Sequence, residues 1–164
     1  MSMVYNSALL TIEIKNNILR LDILEDRFDL SAIPEIKQVF DNWFAKLEIL
    51  ENNPSSRTPT TPISDTESSA QPSGCTQLQT PLEYGCIFNL SVLSSYNMYK
   101  FAKEFKTYFE ANSEKLHKYI ICSSIVLTNT LVRIILVPIV KMLNKGRDLL
   151  FTKSVDEAEN FIQK

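Results

Sequence analysis

The sequence predicts an α/β fold: a mixed, mainly parallel sheet of five strands packed with four helices. Two observations predict it. Apolar residues first alternate with a period of two and then change to helical spacing, as expected for a hairpin followed by a helix. Beyond residue 85, short apolar runs alternate with longer amphipathic segments, which is typical of right-handed β-α-β units with parallel strands. The expected order is β-β-α-β-α-β-α-β-α.

The chain is expected to open with a β-hairpin whose first strand forms the antiparallel edge of the sheet. Apolar side chains occupy every second position of residues 10–14 and again of residues 19–23. Asn16 and Asn17 lie between the two runs, and asparagine tolerates the left-handed backbone of a tight hairpin turn.

An amphipathic helix should follow the hairpin. Ser31 is its expected N-cap, and Pro34 is tolerated in a first turn because the missing N–H has no partner there. One helical face collects the apolar residues Ile33, Ile36, Val39, Phe40, Trp43, Phe44 and Leu47.

Composition changes sharply at residue 52. Residues 52–80 are rich in Ser, Thr and Pro, so we expect a disordered insert within a single domain spanning residues 1–164. Thr58, Thr61 and Thr80 each precede a proline and are candidate sites for proline-directed kinases. A merely solvated linker is the interpretation we favour.

Residues 87–109 are the stretch around which the chain is organised. Residues 86–90 form a short apolar run typical of a buried strand, and Asn97 is the expected N-cap of the helix that follows. The loop between them, residues 91–97, should lie at the carboxyl end of the sheet, where function usually resides in open α/β sheets. The helix carries a core stripe of Met98, Phe101, Ala102, Phe105, Tyr108 and Phe109.

The last third predicts two more strand–helix units. Residues 119–127 and 149–151 are the strands, and the helices are residues 130–144 and the segment opened by the capping-box pair Ser154 and Glu157. An inward stripe is expected at Leu131, Ile134, Ile135, Ile139 and Met142. Residues 119–143 could instead suggest a membrane span, but Arg133 would cost about 2.5–3.5 kcal/mol there, so we reject that alternative.

These elements resemble the STAS domain of anti-sigma factor antagonists and sulfate transporters. ILRLDILEDRFDLSAIPEIKQVFDNWF is similar to the family's opening hairpin and first helix, and the C-terminal third ends in the similar SVDEAENFI. The resemblance implies the fold above and a protein-binding regulatory role. Asn89 and Asn97 stand where the family has Asp, and Met98 stands at its phosphorylated serine. The phosphoserine switch is therefore not expected, unless a shifted loop register lets Ser94 or Ser95 replace that serine.

Composition argues against several function classes. A net charge of -2 gives no indication of a nucleic-acid partner, and three glycines cannot build a phosphate-binding loop. His117 is the single histidine and Cys75, Cys86 and Cys122 form no CxxC pair, so we expect no metal, no cofactor, no enzymatic activity and a reducing, cytoplasmic location. No secretory signal pattern opens the chain.

Basic residues on the second helix could form a mild positive patch that binds phosphate or an acidic surface. Lys100, Lys103 and Lys106 lie away from its aromatic stripe, and Lys115 and Lys118 follow. The acidic residues Glu104, Glu110 and Glu114 dilute this patch. A solvated helix face is therefore the interpretation we favour.

The sequence thus indicates a non-enzymatic interaction module with a protein partner. The partner-binding candidates are Ser94, Ser95, Asn97, Met98, Asn129, Arg133, Leu136 and Val140. The helix at residues 130–144 is apolar nearly all round, so its outer side should be covered by a second copy, another protein or a membrane surface, in that order, unless the first or last helix or the insert folds over it. The alternatives are a peripheral membrane adaptor, or a small nucleotide- or metabolite-binding domain or enzyme using the crevice.

Overall fold

A computed structural model describes residues 3–26, 32–53, 82–130, 133–134 and 148–163. Its six strands form a single mixed sheet, and their order across the sheet is their order along the chain. The first three pair antiparallel, and the third to sixth pair parallel. The strands are β1 (Met3–Asn6), β2 (Leu10–Lys15), β3 (Ile18–Ile23), β4 (Tyr84–Asn89), β5 (Ile120–Val126) and β6 (Asp148–Thr152).

Helices complete an α/β fold, as predicted. Those with described bounds are α1 (Ala32–Asn52), α2 (Ser95–Ala111), α3 (Ser113–Tyr119) and α4 (Val155–Ile162). Thr130, Arg133 and Ile134 are also helical. The apolar spacing that predicted α1 is confirmed, because Ile33, Ile36, Phe40, Trp43, Phe44 and Leu47 are all buried.

The predicted strand count was too low by one. β1 lies outside β2 in the sheet, so the edge is Met3–Asn6 and not the first strand of the hairpin. β1 has only four residues, of which Val4 is 59% exposed while Met3 and Tyr5 are half-buried. An edge strand this short buries too little for its alternation to be recognised in the sequence.

The hairpin itself is confirmed at its turn. Asn16 and Asn17 have φ of 52° and 59°, the left-handed backbone that a two-residue type I′ turn requires. Lys15 pairs with Ile18 across it. The backbone carbonyl of Asn17 also accepts a hydrogen bond from the N–H of Gly85 at 2.9 Å, which links the turn to the start of β4.

The two faces of the sheet carry different layers. The first face packs against α1, α2 and α3, and Phe40 of α1 lies in the middle of this core. Its ring stacks on Phe88 of β4 at 6.3 Å between centroids and meets Tyr108 and Phe109 of α2 edge-on. The core also includes the alternating strand residues Leu10, Ile12, Ile14, Leu19, Leu21 and Ile23.

α4 packs on the second face of the sheet. Its Ala158 is fully buried against Ile87 and Val126, and Ile162 lies directly over Gly85. A Cβ added at Gly85 would lie 2.0 Å from Cγ2 of Ile162, so the helix can come this close only over a glycine. The predicted cap of this helix is confirmed, since Ser154 Oγ accepts a hydrogen bond from the N–H of Glu157 at 3.2 Å.

The prediction missed the short helix between α2 and β5. α3 is separated from α2 by Asn112, whose side-chain amide donates to the carbonyl of Tyr108 at 3.1 Å. In the sequence, residues 113–118 have the composition of a polar linker. In the structure only Leu116 in that range is buried, so the helix leaves almost no apolar pattern.

Candidate functional site

A network of polar side chains lies where β3 and β4 end, on the face of the sheet that α4 covers. Arg20 donates to both carboxylate oxygens of Asp22, at 2.7 and 3.0 Å, and to Glu159 of α4 at 3.2 Å. Asn89 Nδ2 donates to Asp22 at 2.8 Å, and its Oδ1 accepts from the hydroxyl of Ser91 at 2.8 Å. Burial alone would lower the pKa of Arg20, but the carboxylates of Asp22, Glu159 and Glu13 together outweigh burial and raise it. The guanidinium therefore stays charged.

The network explains why an amide rather than a carboxyl occupies position 89. Asn89 must donate to Asp22 while it accepts from Ser91, and an ionised carboxylate can only accept. An aspartate here would set two carboxylates within hydrogen-bonding distance of each other. The amide at this position thus has a local physical reason.

Asn89→Asp is expected to destabilise the protein at neutral pH by about 1–3 kcal/mol, because Asp22 loses a donor and gains a like charge. Urea denaturation at pH 7 measures the loss. Exchanging the two groups, with Asp22→Asn added to Asn89→Asp, should recover part of it, since position 22 can then donate to position 89. If Asn89→Asp alone unfolds at the wild-type urea concentration, the contact to Asp22 contributes nothing.

A second set of contacts fixes the N-terminus of α2. Ser94 N–H donates to Oδ1 of Asp26, and Asn97 Nδ2 donates to the Asp26 carbonyl at 2.5 Å and to its Oδ1 at 3.3 Å. The N-cap is Ser94, whose Oγ accepts from the N–H of Asn97 at 3.4 Å. Our prediction of Asn97 as the cap was wrong, because the helix begins two residues before it.

The hydrogen bonds to Asp26 lower the pKa of its carboxyl, the backbone N–H of Ser94 contributing most. A carboxyl with a depressed folded pKa adds stability above its unfolded pKa, about 3.8, and that stability is lost as the pH falls through the folded value. Asp26→Asn should therefore flatten the fall of the urea midpoint below about pH 4. Glu25→Gln, which removes the neighbouring exposed carboxylate, is the control and should leave the wild-type slope. Identical slopes for wild type and Asp26→Asn would contradict the prediction.

The loop after β5 closes this end of the sheet. Thr128 Oγ1 donates to the carbonyl of Ser91 at 3.0 Å, and the guanidinium of Arg133 donates to the carbonyl of Phe151. The carbonyl of the exposed Asn129 accepts from Arg133 N–H at 3.1 Å. The predicted loop residues do converge at this edge, but Arg133 is engaged with β6.

The other partner-binding candidates are distributed unevenly. Ser95 is exposed, Ser94 and Asn97 are half-buried, and Met98 is in the core at 1% exposure. Met98 therefore presents no surface to a partner in this structure, because its spacing places it on the buried stripe of α2. Several of our sites lie outside the described residues, namely Thr58, Thr61, Thr80, Leu136 and Val140.

The helix after β5 departs from its predicted orientation at one described position. Ile134 was expected in the inward stripe but is 66% exposed. The Arg133 contact to Phe151 explains this, because it turns the position before Ile134 toward β6. With an apolar arc nearly all round, the sequence could not reveal which side faces the sheet.

The sequence interpretation missed the exposed apolar residues at the start of α2. Val92 in the preceding loop is 42% exposed, and Tyr96 and Tyr99 are 67% and 58% exposed. The ammonium of Lys100 lies 4.2 Å from the centre of the Tyr96 ring. Their signal was present in the helical spacing 96, 99 and 100, opposite the buried stripe, but the search for core residues passed over them.

The chemistry available at this edge is limited. Ser91 donates to Asn89, Ser94 caps α2, and neither hydroxyl contacts a histidine among the described residues. His117 is exposed in α3, with Nδ1 2.6 Å from the carbonyl of Ser113. Burial, with Asp148 nearby, raises the pKa of the half-buried Cys122 thiol.

Within the described ranges, no three His, Cys, Asp or Glu side chains are grouped to hold a metal ion. None of the helices in the same ranges has the length and apolar content needed to cross a membrane.

Comparison with protein-family models, with curated proteins and with solved structures gives no match for this chain.

Proposed function

We propose that this protein is a non-enzymatic interaction module of STAS-like fold, which binds a protein partner at the start of α2. The partner surface comprises Val92, Tyr96 and Tyr99, with Ser95 beside them; we name it the α2 surface. The exposure of these three large apolar side chains is the observation that carries the proposal.

Exposed aromatic residues at one end of a helix are costly to leave in water and characteristic of binding surfaces. Tyrosine offers a large contact area with little rotamer entropy to lose, and it is frequent among residues that dominate binding energy. Tyr96 and Tyr99 are one helical turn apart, and Val92 precedes the same helix by three residues. Tyr96 and Tyr99 are therefore neighbours on the helix surface, and a partner bound there would lie beside the loop that carries Val92.

The polar groups at the same edge of the sheet support a scaffold rather than a catalyst. Asp22, Asn89 and Ser91 are hydrogen-bonded to one another, and Asp26 is bonded to Ser94 and Asn97. General acid–base catalysis needs a titratable group aimed at substrate, whereas these groups hold loops together. The same contacts fix the shape of the loop that carries Val92.

The element order also agrees with a STAS-like module. A hairpin leads into α1, and β4 leads through a loop into α2, the region that resembles the family's regulatory step. At the serine position of that step stands Met98, which is buried. A module of this kind would bind its partner without the family's phosphoserine switch.

The test compares proteins captured from a lysate by the wild-type chain and by Val92→Asp. We expect at least one protein to be captured by wild type and lost with Val92→Asp. Ile49→Asp is the matched control, because it puts the same charge at an exposed apolar residue of α1. Equal capture by all three chains would refute the proposal, and light scattering of the purified wild type shows whether the partner is a second copy.

A further inference from the structure

We infer that the partner docks an acidic segment along an exposed stripe of α2 formed by Tyr96, Tyr99, Lys100 and Lys103; we name it the Tyr–Lys stripe. The inference rests on the proposed function and adds the chemical class of the partner. It follows from the spacing of the four residues, from their exposure and from the distribution of ion pairs.

The four residues share one face of α2. Their positions are separated by three, one and three residues, the spacing that lines up side chains along a helix. Tyr96, Tyr99 and Lys103 are exposed, and Lys100 is half-buried with its ammonium over the ring of Tyr96. The stripe rises by about 10 Å along the helix axis, enough to contact two turns of a helix or a short extended segment.

Four of the five other lysines on the described helices pair with carboxylates of the chain, whereas Lys46 contacts Met3 Sδ at 3.8 Å. Lys37 pairs with Glu104 at 3.5 Å and Lys106 with Glu110 at 3.8 Å. Two further pairs are Lys115 with Glu48 and Lys118 with Glu51.

Lys100 and Lys103 differ from these four paired lysines. Neither takes part in an ion pair within the described ranges, and the ammonium of Lys100 lies 4.2 Å from the centre of the Tyr96 ring. The sequence suggested that Glu104 and Glu110 would dilute the positive charge. In the structure they form ion pairs with Lys37 and Lys106 instead. The stripe is therefore a local positive surface on a chain with net charge -2.

Two ammonium groups that form no ion pair with the described residues, beside two tyrosine rings, fit an acidic segment that also carries an apolar side chain. Carboxylates would pair with Lys100 and Lys103, while the apolar group would pack on Tyr96 and Tyr99. Two lysines are too few for the phosphate contacts that dominate nucleic-acid binding. Membrane anchoring by charge likewise needs a larger cluster, of four or more basic residues.

The experiment selects random 12-residue peptides, displayed on phage, against the immobilised full chain. We expect the enriched peptides to carry net negative charge and at least one aromatic or large aliphatic residue. Their affinity, measured with synthetic copies, should fall tenfold or more for the double variant Lys100→Glu, Lys103→Glu and should weaken with added salt.

The control variant is Lys15→Glu, Lys46→Glu. It changes the net charge by the same amount at exposed positions on β2 and α1, so it should leave peptide affinity within about twofold of wild type. Urea denaturation of both variants shows whether the fold is kept. If both double variants lost the same amount of peptide affinity, the loss would come from the change in net charge alone, and the inference would be overturned.

Several outcomes would reject an acidic partner. These are no enrichment, enrichment of neutral or basic peptides, or acidic peptides whose affinity does not depend on Lys100 and Lys103. Binding to phosphatidylserine vesicles that is lost in the same double variant, without acidic peptides, would indicate a membrane surface instead. If Val92→Asp abolishes protein capture while the lysine variant does not, the proposed function stands and this inference fails.

Discussion

Phe40→Ala is expected to lower the free energy of unfolding by about 3–5 kcal/mol, the largest effect of any substitution considered for this chain. Phe40 is fully buried, and its ring contacts Trp43 and Phe44 on α1 as well as Phe88 on β4. Removing it opens a cavity between both main helices and the sheet. The neighbouring rings are themselves packed, so they cannot collapse to fill it.

Chemical denaturation followed by circular dichroism and tryptophan fluorescence measures this loss. Trp43 is the single tryptophan, and its ring centre lies 6.3 Å from that of Phe40, so its fluorescence emission reports on the same core. Ile49→Ala, at an exposed position of the same helix, is the control and should change stability by less than about 0.5 kcal/mol. A Phe40→Ala loss under about 1 kcal/mol would mean that α1 does not pack as described.

Gly85→Ala is expected to cost about 1–3 kcal/mol, because the added methyl group overpacks the contact between β4 and α4. It would lie 2.0 Å from Cγ2 of Ile162 and 3.2 Å from its Cβ, so a change of rotamer alone cannot relieve the clash. Either α4 shifts away from the sheet or β4 bends. Hydrogen exchange should show faster exchange at the amides of α4 in this variant.

A double-mutant cycle tests whether Ile162 is the cause of that cost. In an Ile162→Ala background the clashing methyl group is gone, so adding Gly85→Ala should cost about 1 kcal/mol less than it does in wild type. Val155→Ala is the matched background, since it also shortens an α4 side chain in this cluster but leaves the space over Gly85 filled. Equal costs in all three backgrounds would show that Ile162 is not the obstacle.

Periodicity in the sequence was enough to predict the elements with a strongly amphipathic pattern. The hairpin alternates cleanly because its first face is buried and its second is not, and α1 and α2 each bury one complete stripe. The Asn16–Asn17 turn was predictable for the same reason that it forms, the tolerance of asparagine for positive φ. In such segments, burial of one face requires apolar residues at a regular spacing, and that spacing can be recognised in the sequence.

Elements that bury little could not be predicted in this way. β1 contributes no buried residue and α3 contributes only two, so neither leaves a periodic signal. The N-cap of α2 was misplaced for a related reason. Ser94, Ser95 and Asn97 are all plausible caps, and the choice depends on Asp26, a residue 68 positions before Ser94.

The candidate site was predictable in location but not in composition. The loop between β4 and α2 lies at the carboxyl end of the sheet, as the strand–helix order implies. Which of its side chains are free depends on contacts across the chain, such as Asn89 with Asp22. The exposure of Tyr96 and Tyr99 was already implied by the predicted core stripe of Met98 and Phe101, because that stripe leaves the opposite side of α2 to them.

The order of strands in the sheet has a consequence for how the chain folds. Each strand pairs with the one that precedes it along the chain, and no connection has to pass between strands already formed. The N-terminal three-stranded meander closes only short loops, so it should form early, and each later strand then adds to an existing edge. As the chain emerges from the ribosome, β4 can pair with β3 before β5 has been synthesised. Completion of α4 comes last, when Ile162 settles over Gly85.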